Sequence, residues 1–285
     1  MTGRPPSWSL AVVAMLSVQL GAALSLGLME VVGPGGTAWL RLTIAAVVFL
    51  VVARPPLRSI RRSDLPVLVG LGVTTGLQTV AFLAAIERLP LGTVVAIEFL
   101  GPLTVAAVRS HRAAALVWPA LALVGVVLLT EPWHGQVSVS GLVLSGLAAA
   151  GWGGYILLTQ AVGDRFDGVR GLALTVPIAA VTAAVIGVPQ AVGNIDARVL
   201  VTAAGLALLL PIVPYALEML ALRRMTHTAF GTLMALEPAF GVVIGAVVLQ
   251  QWPMWVQVVG IIVVVVAGAG AQRGGVRSVA EPQIT

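Results

Sequence analysis

The feature that most constrains the fold of this chain is a series of long apolar stretches joined by short connections. A helix needs about 20 apolar residues to cross the ~30 Å hydrocarbon core of a bilayer, with a range of roughly 17 to 25. Stretches of this length occupy ten positions in the sequence: 8–32, 37–53, 65–86, 91–108, 113–130, 139–162, 169–188, 199–222, 228–249 and 254–271. The sequence therefore predicts an all-α membrane protein with ten transmembrane helices.

The composition agrees with a polytopic membrane protein and excludes an ordinary soluble domain. Of 285 residues, 59% are hydrophobic and only 9% are charged, whereas soluble domains carry about 25% charged residues. The absence of cysteine excludes disulfides and thiolate metal sites. The net charge of +5 comes from arginines scattered between apolar runs, so we expect a lipid bilayer as the environment and no nucleic acid partner.

Arginine placement predicts the orientation of the chain in the membrane. The positive-inside rule counts Lys and Arg in short loops. With both termini in the cytoplasm, only Arg88 and Arg198 lie in outer loops, and Arg41 lies just inside the second stretch. The arginines then on the cytoplasmic side are Arg4, Arg54, Arg58, Arg61, Arg62, Arg109, Arg112, Arg165, Arg170, Arg223, Arg224, Arg273 and Arg277. Both termini are therefore predicted to be cytoplasmic.

A seven-residue pattern, Gly-Thr-x-x-Ala-x-Glu, occurs at 92–98 and again at 231–237. The spacing is about half the chain, and each half holds five predicted spans. Five is odd, so the second half enters the membrane from the opposite face. We therefore predict two inverted repeats, 1–133 and 138–271, followed by a disordered cytoplasmic tail at 272–285. Such repeats place a substrate site near the midplane between the halves.

Both motifs place a glutamate where a carboxylate is costly. A charged side chain in hydrocarbon costs several kcal/mol unless it is protonated, paired or facing water, so Glu98 and Glu237 are candidates for a functional site. Proline removes the N–H that would bond the carbonyl four residues back. Pro102 is thus expected to free the carbonyl of Glu98, and Pro238 that of Met234. Irregular backbone at this depth indicates a wet cavity, although a simple packing kink is the alternative.

Three segments carry a resemblance to a known family. They are residues 90–103, which include Glu98-Phe99-Leu100-Gly101-Pro102, residues 214–219 and residues 230–238. Residues 33–42, with Arg41, are also similar. In these segments the chain resembles the EamA-type transporters of the drug/metabolite transporter superfamily, and within them the bacterial threonine/homoserine exporters.

The resemblance covers nearly the whole chain. It implies ten helices with cytoplasmic termini in the bacterial inner membrane, secondary transport, and outward export of small amino acids coupled to protons. Glu30 departs from the family pattern, where an apolar residue or a proline is expected. No cofactor or metal is implied beyond the proton gradient as the energy source.

Exchange of an amino acid for a proton suggests which residues form the site. If a proton and the substrate ammonium compete for one glutamate, binding of one releases the other. The substrate carboxylate and hydroxyl need donors as well. The predicted substrate- or proton-binding residues are Glu98, Glu237, Glu218, Arg41, Gln19, Gln78, Tyr155 and Tyr215. Each of them has a structural alternative, such as pairing between helices or, for Glu218, pairing with Arg223 or Arg224.

Other functions fit the sequence less well. A membrane enzyme would need convergent nucleophiles or metal ligands. The sequence contains neither a His-Glu-x-x-His nor a Gly-x-Ser-x-Gly motif. An ATP-driven pump would need a phosphate-binding loop with lysine, and the chain has no lysine. A channel would need a continuous polar lining. Within the transporter class, aromatic amino acids, purine metabolites and drugs stay open as substrates, and the protein is either a monomer or a homodimer.

Overall fold

A computed structural model of the protein describes residues 6–55, 60–110, 113–134, 137–163, 165–166, 169–222, 224–225 and 227–274. The predicted tail lies outside the described residues from 275 onward. The same holds for five of the arginines on which the predicted orientation rests: Arg4, Arg58, Arg112, Arg223 and Arg277.

The described part of the chain is helical. Its α-helices are α1 (Ser7–Ala53), α2 (Leu65–Ile86), α3 (Leu91–Glu98), α4 (Leu100–Arg109), α5 (Val117–Thr130), α6 (Val139–Gly163), α7 (Val169–Ala191), α8 (Ala197–Ala207), α9 (Val213–Leu222), α10 (His227–Met234), α11 (Glu237–Leu249) and α12 (Trp255–Gly274). Short 3₁₀ turns precede α2 and α5, and a third follows α5 at Pro132–His134.

The first helix is a hairpin of two membrane crossings. Gly33 has a left-handed φ of 72° and is followed by Pro34, so the helix turns there. Arg41 Nη1 donates a 2.8 Å hydrogen bond to Ser25 Oγ, although 16 residues of straight helix would separate these positions by about 24 Å. The two halves of α1 therefore lie side by side and antiparallel.

The described residues contain nine helical segments long and apolar enough to cross a membrane. The first, Trp8–Ala53, accounts for two crossings because it folds back at Gly33. The prediction of an all-α fold with ten crossings is confirmed. We call the side of the bundle that carries this hairpin bend the Gly33 face, and the opposite side, where α9 ends, the Leu222 face.

Three of the predicted crossings are broken inside the membrane. The fourth divides into α3 and α4 at Phe99, and the ninth divides into α10 and α11 at a turn formed by Ala235 and Leu236. The eighth is interrupted by a π-helical turn, Leu208–Ile212, in which Leu210 leaves the helical region (φ −158°, ψ 112°). Each break lies beside residues that the sequence singled out.

Small residues allow the helices between these breaks to approach closely. A Cβ at Gly72 would lie 2.5 Å from the Ile178 side chain, and one at Gly76 would lie 2.6 Å from the Ala179 carbonyl oxygen. The Gly-x-x-x-Gly spacing of Gly72 and Gly76 therefore lets α2 pack closely against α7. Because α2 belongs to the first predicted repeat and α7 to the second, this contact fixes the halves against each other.

Two helices extend three residues beyond their predicted C-terminal ends. α7 continues through Pro189 to Ala191, and α12 continues to Gly274. The apolar stretches in the sequence end earlier because Gln190 and Gln272 are polar. Both glutamines are therefore part of helices.

Candidate functional site

A cavity of about 440 Å³ lies inside the bundle and collects all eight predicted site residues. These residues come from six different helices: Gln19 and Arg41 from α1, Gln78 from α2, Glu98 from α3, Tyr155 from α6, Tyr215 and Glu218 from α9, and Glu237 from α11. Its volume is in the range of about 300–1,000 Å³ that is typical of small-molecule sites.

The polar residues of the cavity lie at different depths. At 1.5 Å per residue along each helix, Arg41 and Glu98 are about 11 Å from the Gly33 face and Glu237 is about 18 Å from it. Glu218 is four residues from the end of α9 at the Leu222 face. Phe230 and Gln272, near the ends of α10 and α12 at that face, also line the cavity. The cavity therefore reaches from the middle of the bundle toward the Leu222 face.

Glu98 is the last residue of α3 and is 8% exposed. Gln78 of α2 donates to its Oε1 through Nε2 at 3.0 Å. Phe99 follows at the helix break, and its ring meets the ring of Trp152 edge to face, with centroids 6.1 Å apart. The break and the aromatic contact together hold the Glu98 carboxylate at the cavity wall.

Glu237 is the first residue of α11 and is 6% exposed. Gln19 Nε2 lies 3.5 Å from its Oε1, the outer limit of a hydrogen bond. Its other oxygen, Oε2, is buried and has no partner among the described residues. Pro238 occupies the first turn of α11, where the missing N–H leaves no bond unmade. A buried acceptor without a donor is costly, and among the described residues Glu237 is the one carboxylate of the site with a fully buried oxygen that lacks a donor.

The break before α9 is accommodated by small residues of α1. Ser17 donates from Oγ to the carbonyl oxygen of Leu209 at 2.8 Å, and a Cβ at Gly21 would lie 3.1 Å from Leu210. Pro211 lies within the π-helical turn at this break. Ser17 thus donates a hydrogen bond to one carbonyl oxygen of this irregular turn. Gln19, two residues later in α1, lines the cavity.

The only two tyrosines of the chain meet in this cavity. The hydroxyls of Tyr155 and Tyr215 are 2.9 Å apart and hydrogen-bonded. Phe49 packs edge to face against the Tyr215 ring at 6.1 Å. This pair bridges α6 and α9, and Tyr215 is three residues from Glu218 on α9.

Arg41 is 2% exposed and lines the cavity. Its only hydrogen bond among the described residues is donated to Ser25, and its buried Nε has no acceptor there. Glu30 is exposed, and no ion pair within the described residues includes either side chain. Glu30 and Arg41 therefore do not pair with each other, because the two side chains face different environments.

Sequence reasoning missed several residues of the cavity wall. The cavity is also lined by Trp152, Thr75 and Thr79. They lie within apolar stretches and outside any motif, so nothing in the sequence distinguished them. Gln272 could have been found, because it is a polar residue in the last turn of an apolar helix. Within the described residues, no group of three or more His, Cys, Asp or Glu side chains could hold a metal ion.

Comparison with known proteins gives three findings. A model of the EamA-like transporter family matches residues 139–270. The threonine/homoserine exporter RhtA of Escherichia coli (strain K12) is 35% identical over 281 residues, covering 94% of this chain and 92% of that protein. RhtA of Salmonella typhimurium (strain LT2) is 33% identical over 283 residues, and the match covers 95% of this chain and 93% of that protein.

The fold also resembles a solved structure. One crystal structure of a protein superimposes with a TM-score of 0.62, covering 93% of this chain and 98% of that chain. The sequence identity is 17%, so this likeness concerns the fold alone.

Proposed function

Because this chain belongs to the EamA-like transporter family of the drug/metabolite transporter superfamily, we propose that it exports small amino acids such as threonine and homoserine in exchange for protons. The observation that carries the proposal is the cavity of about 440 Å³, which combines three carboxylates with a buried arginine and two hydroxyls. Relatives that are 33–35% identical over nearly their whole length are named as threonine/homoserine exporters.

The exchange step follows from the state of Glu237. A carboxylate this buried is stable in a membrane only when it is protonated or paired with a cation. Its Oε2 is unpartnered within the described residues, so it can accept either a proton or an N–H of a substrate ammonium group. One site that holds either ligand exchanges them, because binding of one displaces the other.

Glu98 and Glu218 play supporting parts in this scheme. Glu98 already accepts one bond from Gln78, so its carboxylate is partly satisfied without substrate. Glu218 lies near the Leu222 face, where the cavity is continuous with the helix ends. It is suited to attract an ammonium group that enters from that face, which the arginine distribution predicts to be cytoplasmic.

Transport by purified protein in proteoliposomes tests the proposal. Labelled homoserine or threonine is loaded, and its movement is followed with and without an imposed pH gradient. We expect gradient-stimulated transport by the native protein, and loss of the stimulation in Glu98→Gln and Glu237→Gln. Glu30→Gln is the matched control, because that glutamate is exposed and outside the cavity.

The same assay separates the alternatives. Aromatic amino acids, purine metabolites and drugs are tested as competitors of labelled threonine. A folded protein that carries one of these but neither threonine nor homoserine contradicts the substrate assignment. Transport that ignores the gradient and survives both glutamate changes contradicts the proton coupling and leaves the carboxylates as packing groups.

A further inference from the structure

Arg41 presents an unusual electrostatic situation in the interior of this protein. Its guanidinium is almost wholly buried, at 2% exposure, and no carboxylate of the described residues lies within ion-pair distance of it. A buried charge without a partner is strongly destabilising. Buried arginines are normally paired, so this one lacks a component that the described chain does not supply.

The guanidinium has one hydrogen-bond partner among the described residues, and its side chain borders the cavity. Nη1 is held by Ser25 Oγ at 2.8 Å, and Ser25 in turn donates to the carbonyl oxygen of Gly21 at 2.6 Å. Both Ser25 and Gly21 are buried in α1. Nε remains buried without an acceptor, and the side chain lines the cavity. The serine holds one nitrogen of the guanidinium, and the side chain as a whole lines the cavity.

Arg41 shares its cavity with three glutamates, yet it is bonded to none of them. Glu98 lies at about the same depth as Arg41 along its helix and is bound instead by Gln78. Glu237 lies deeper and is bound by Gln19. The cavity thus keeps a cation and its carboxylates apart, which is the arrangement that a zwitterion requires.

We propose that Arg41, positioned by Ser25, binds the carboxylate of the substrate, and that this contact makes the transporter select amino acids over amines that lack a carboxylate. The inference rests on the proposed function and identifies which end of the substrate each part of the cavity holds. The ammonium group lies toward the glutamates and the carboxylate toward Arg41. Arginine suits this role because its planar fork donates two parallel N–H bonds to a carboxylate.

Competition between threonine and threoninol, the amino alcohol that lacks the carboxylate, tests the inference. Purified protein in detergent is saturated with labelled threonine, and each compound is titrated as a competitor. For the native protein we expect threonine to bind more tightly than threoninol. Loss of a charge-assisted hydrogen bond corresponds to roughly a ten- to hundredfold change in affinity, and we expect Arg41→Gln to weaken threonine binding by that factor.

The decisive readout is the ratio of the two affinities in Arg41→Gln. Threoninol has a neutral hydroxymethyl group in place of the carboxylate and forms no ion pair with the guanidinium, so its affinity is expected to stay within about twofold of the native value. The preference for threonine then disappears. Because labelled threonine binds this variant weakly, the affinity for threoninol is measured directly with labelled threoninol. Arg41→Lys retains the charge and is expected to recover part of the preference, and Ser25→Ala is expected to reduce it. Arg198→Gln is the matched control because Arg198 is exposed and outside the cavity.

The outcomes separate the two proposals. Equal loss of threonine and threoninol binding in Arg41→Gln would mean that the arginine is structural, and an unchanged preference would mean that another group holds the carboxylate; either result overturns the inference. Failure of the native protein to bind threonine, homoserine or threoninol would instead contradict the proposed function.

Discussion

Gln78 Nε2 donates to Glu98 Oε1 at 3.0 Å, and this bond joins the third crossing to the motif glutamate at the end of α3. A glutamine also faces the second motif glutamate, because Gln19 Nε2 lies 3.5 Å from Glu237 Oε1. Each of the two repeated carboxylates therefore has one amide donor from another helix. The two contacts differ in length, so the carboxylates are not equivalent.

Replacing Gln78 with leucine is expected to lower the stability of the protein. The change leaves the buried Glu98 carboxylate without this donor, and an unsatisfied buried acceptor costs about 1–3 kcal/mol. Thermal unfolding in detergent measures the effect. Leu77→Ala is the control on the same helix, since Leu77 is 52% exposed on the outside of the bundle. Equal unfolding temperatures for Gln78→Leu and the native protein would show that the bond contributes nothing.

Tyr155→Phe is expected to reduce the preference for substrates that carry a hydroxyl. A site that hydrogen-bonds a substrate hydroxyl rejects the analogue that lacks it, because buried polar groups then remain unpaired. The preference for threonine over 2-aminobutyrate in competition assays should fall by roughly tenfold. Phe49→Leu alters the packing of the Tyr215 ring without removing a hydroxyl, and should affect both compounds alike. An unchanged preference in Tyr155→Phe would assign the hydroxyl to other donors.

Gly101→Ala is expected to destabilise the fold, whereas Gly146→Ala is not. A Cβ at Gly101 would overlap the carbonyl oxygen of Ala149 on α6, while a Cβ at Gly146 would meet nothing within 4 Å. Overpacking costs about 1–3 kcal/mol, and alanine in an open helical position gains up to about 1 kcal/mol over glycine. Thermal unfolding of both variants checks the pair. Tolerance of Gly101→Ala would show that α4 and α6 can separate freely.

The close approach of α4 and α6 could not be predicted from the sequence, whereas the membrane crossings could. Length and apolar character were enough to predict the crossings, because the hydrocarbon core imposes both. The inverted motifs pointed to Glu98 and Glu237, and all eight predicted side chains line one cavity. Which glutamine faces which glutamate depends on helix rotation and crossing angles, which are set by packing between distant segments and leave no local pattern.

Glutamines at the Gly33 face illustrate the same limit. Gln190 Oε1 accepts bonds from the backbone N–H groups of Gly35 and Gly36 at 2.8 and 3.3 Å. Gln251 Oε1 accepts one from the N–H of Leu91 at 3.0 Å. Both glutamines belong to the second predicted repeat and satisfy free N–H groups at helix starts in the first. Neither had a signal in the sequence, because a polar residue near a helix end is common.

Gln190→Leu is expected to open the Gly33 face more often. Bonds that exist only when the repeats are closed at this face stabilise the closed state, so their loss shifts the population toward opening. The chain has no cysteine, so a single Leu83→Cys substitution reports access to this fully buried lining position. A membrane-impermeant maleimide added from outside should label it several-fold faster in Gln190→Leu.

Asn194→Leu is the control for the labelling experiment, because Asn194 is an exposed amide near the same face. Leu83→Cys combined with Asn194→Leu should be labelled at the same rate as Leu83→Cys alone. Equal rates in Gln190→Leu and in this control would show that the glutamine bonds do not restrain opening.

The central claim is that a proton and the substrate ammonium compete for Glu237, and proton release on substrate binding tests it most directly. Threonine is added to purified protein in weakly buffered detergent solution, and a pH-sensitive dye records the protons that appear. The account predicts release that rises and saturates with threonine occupancy and is absent or strongly reduced in Glu237→Gln. Saturable threonine binding by the native protein without any proton release would contradict it.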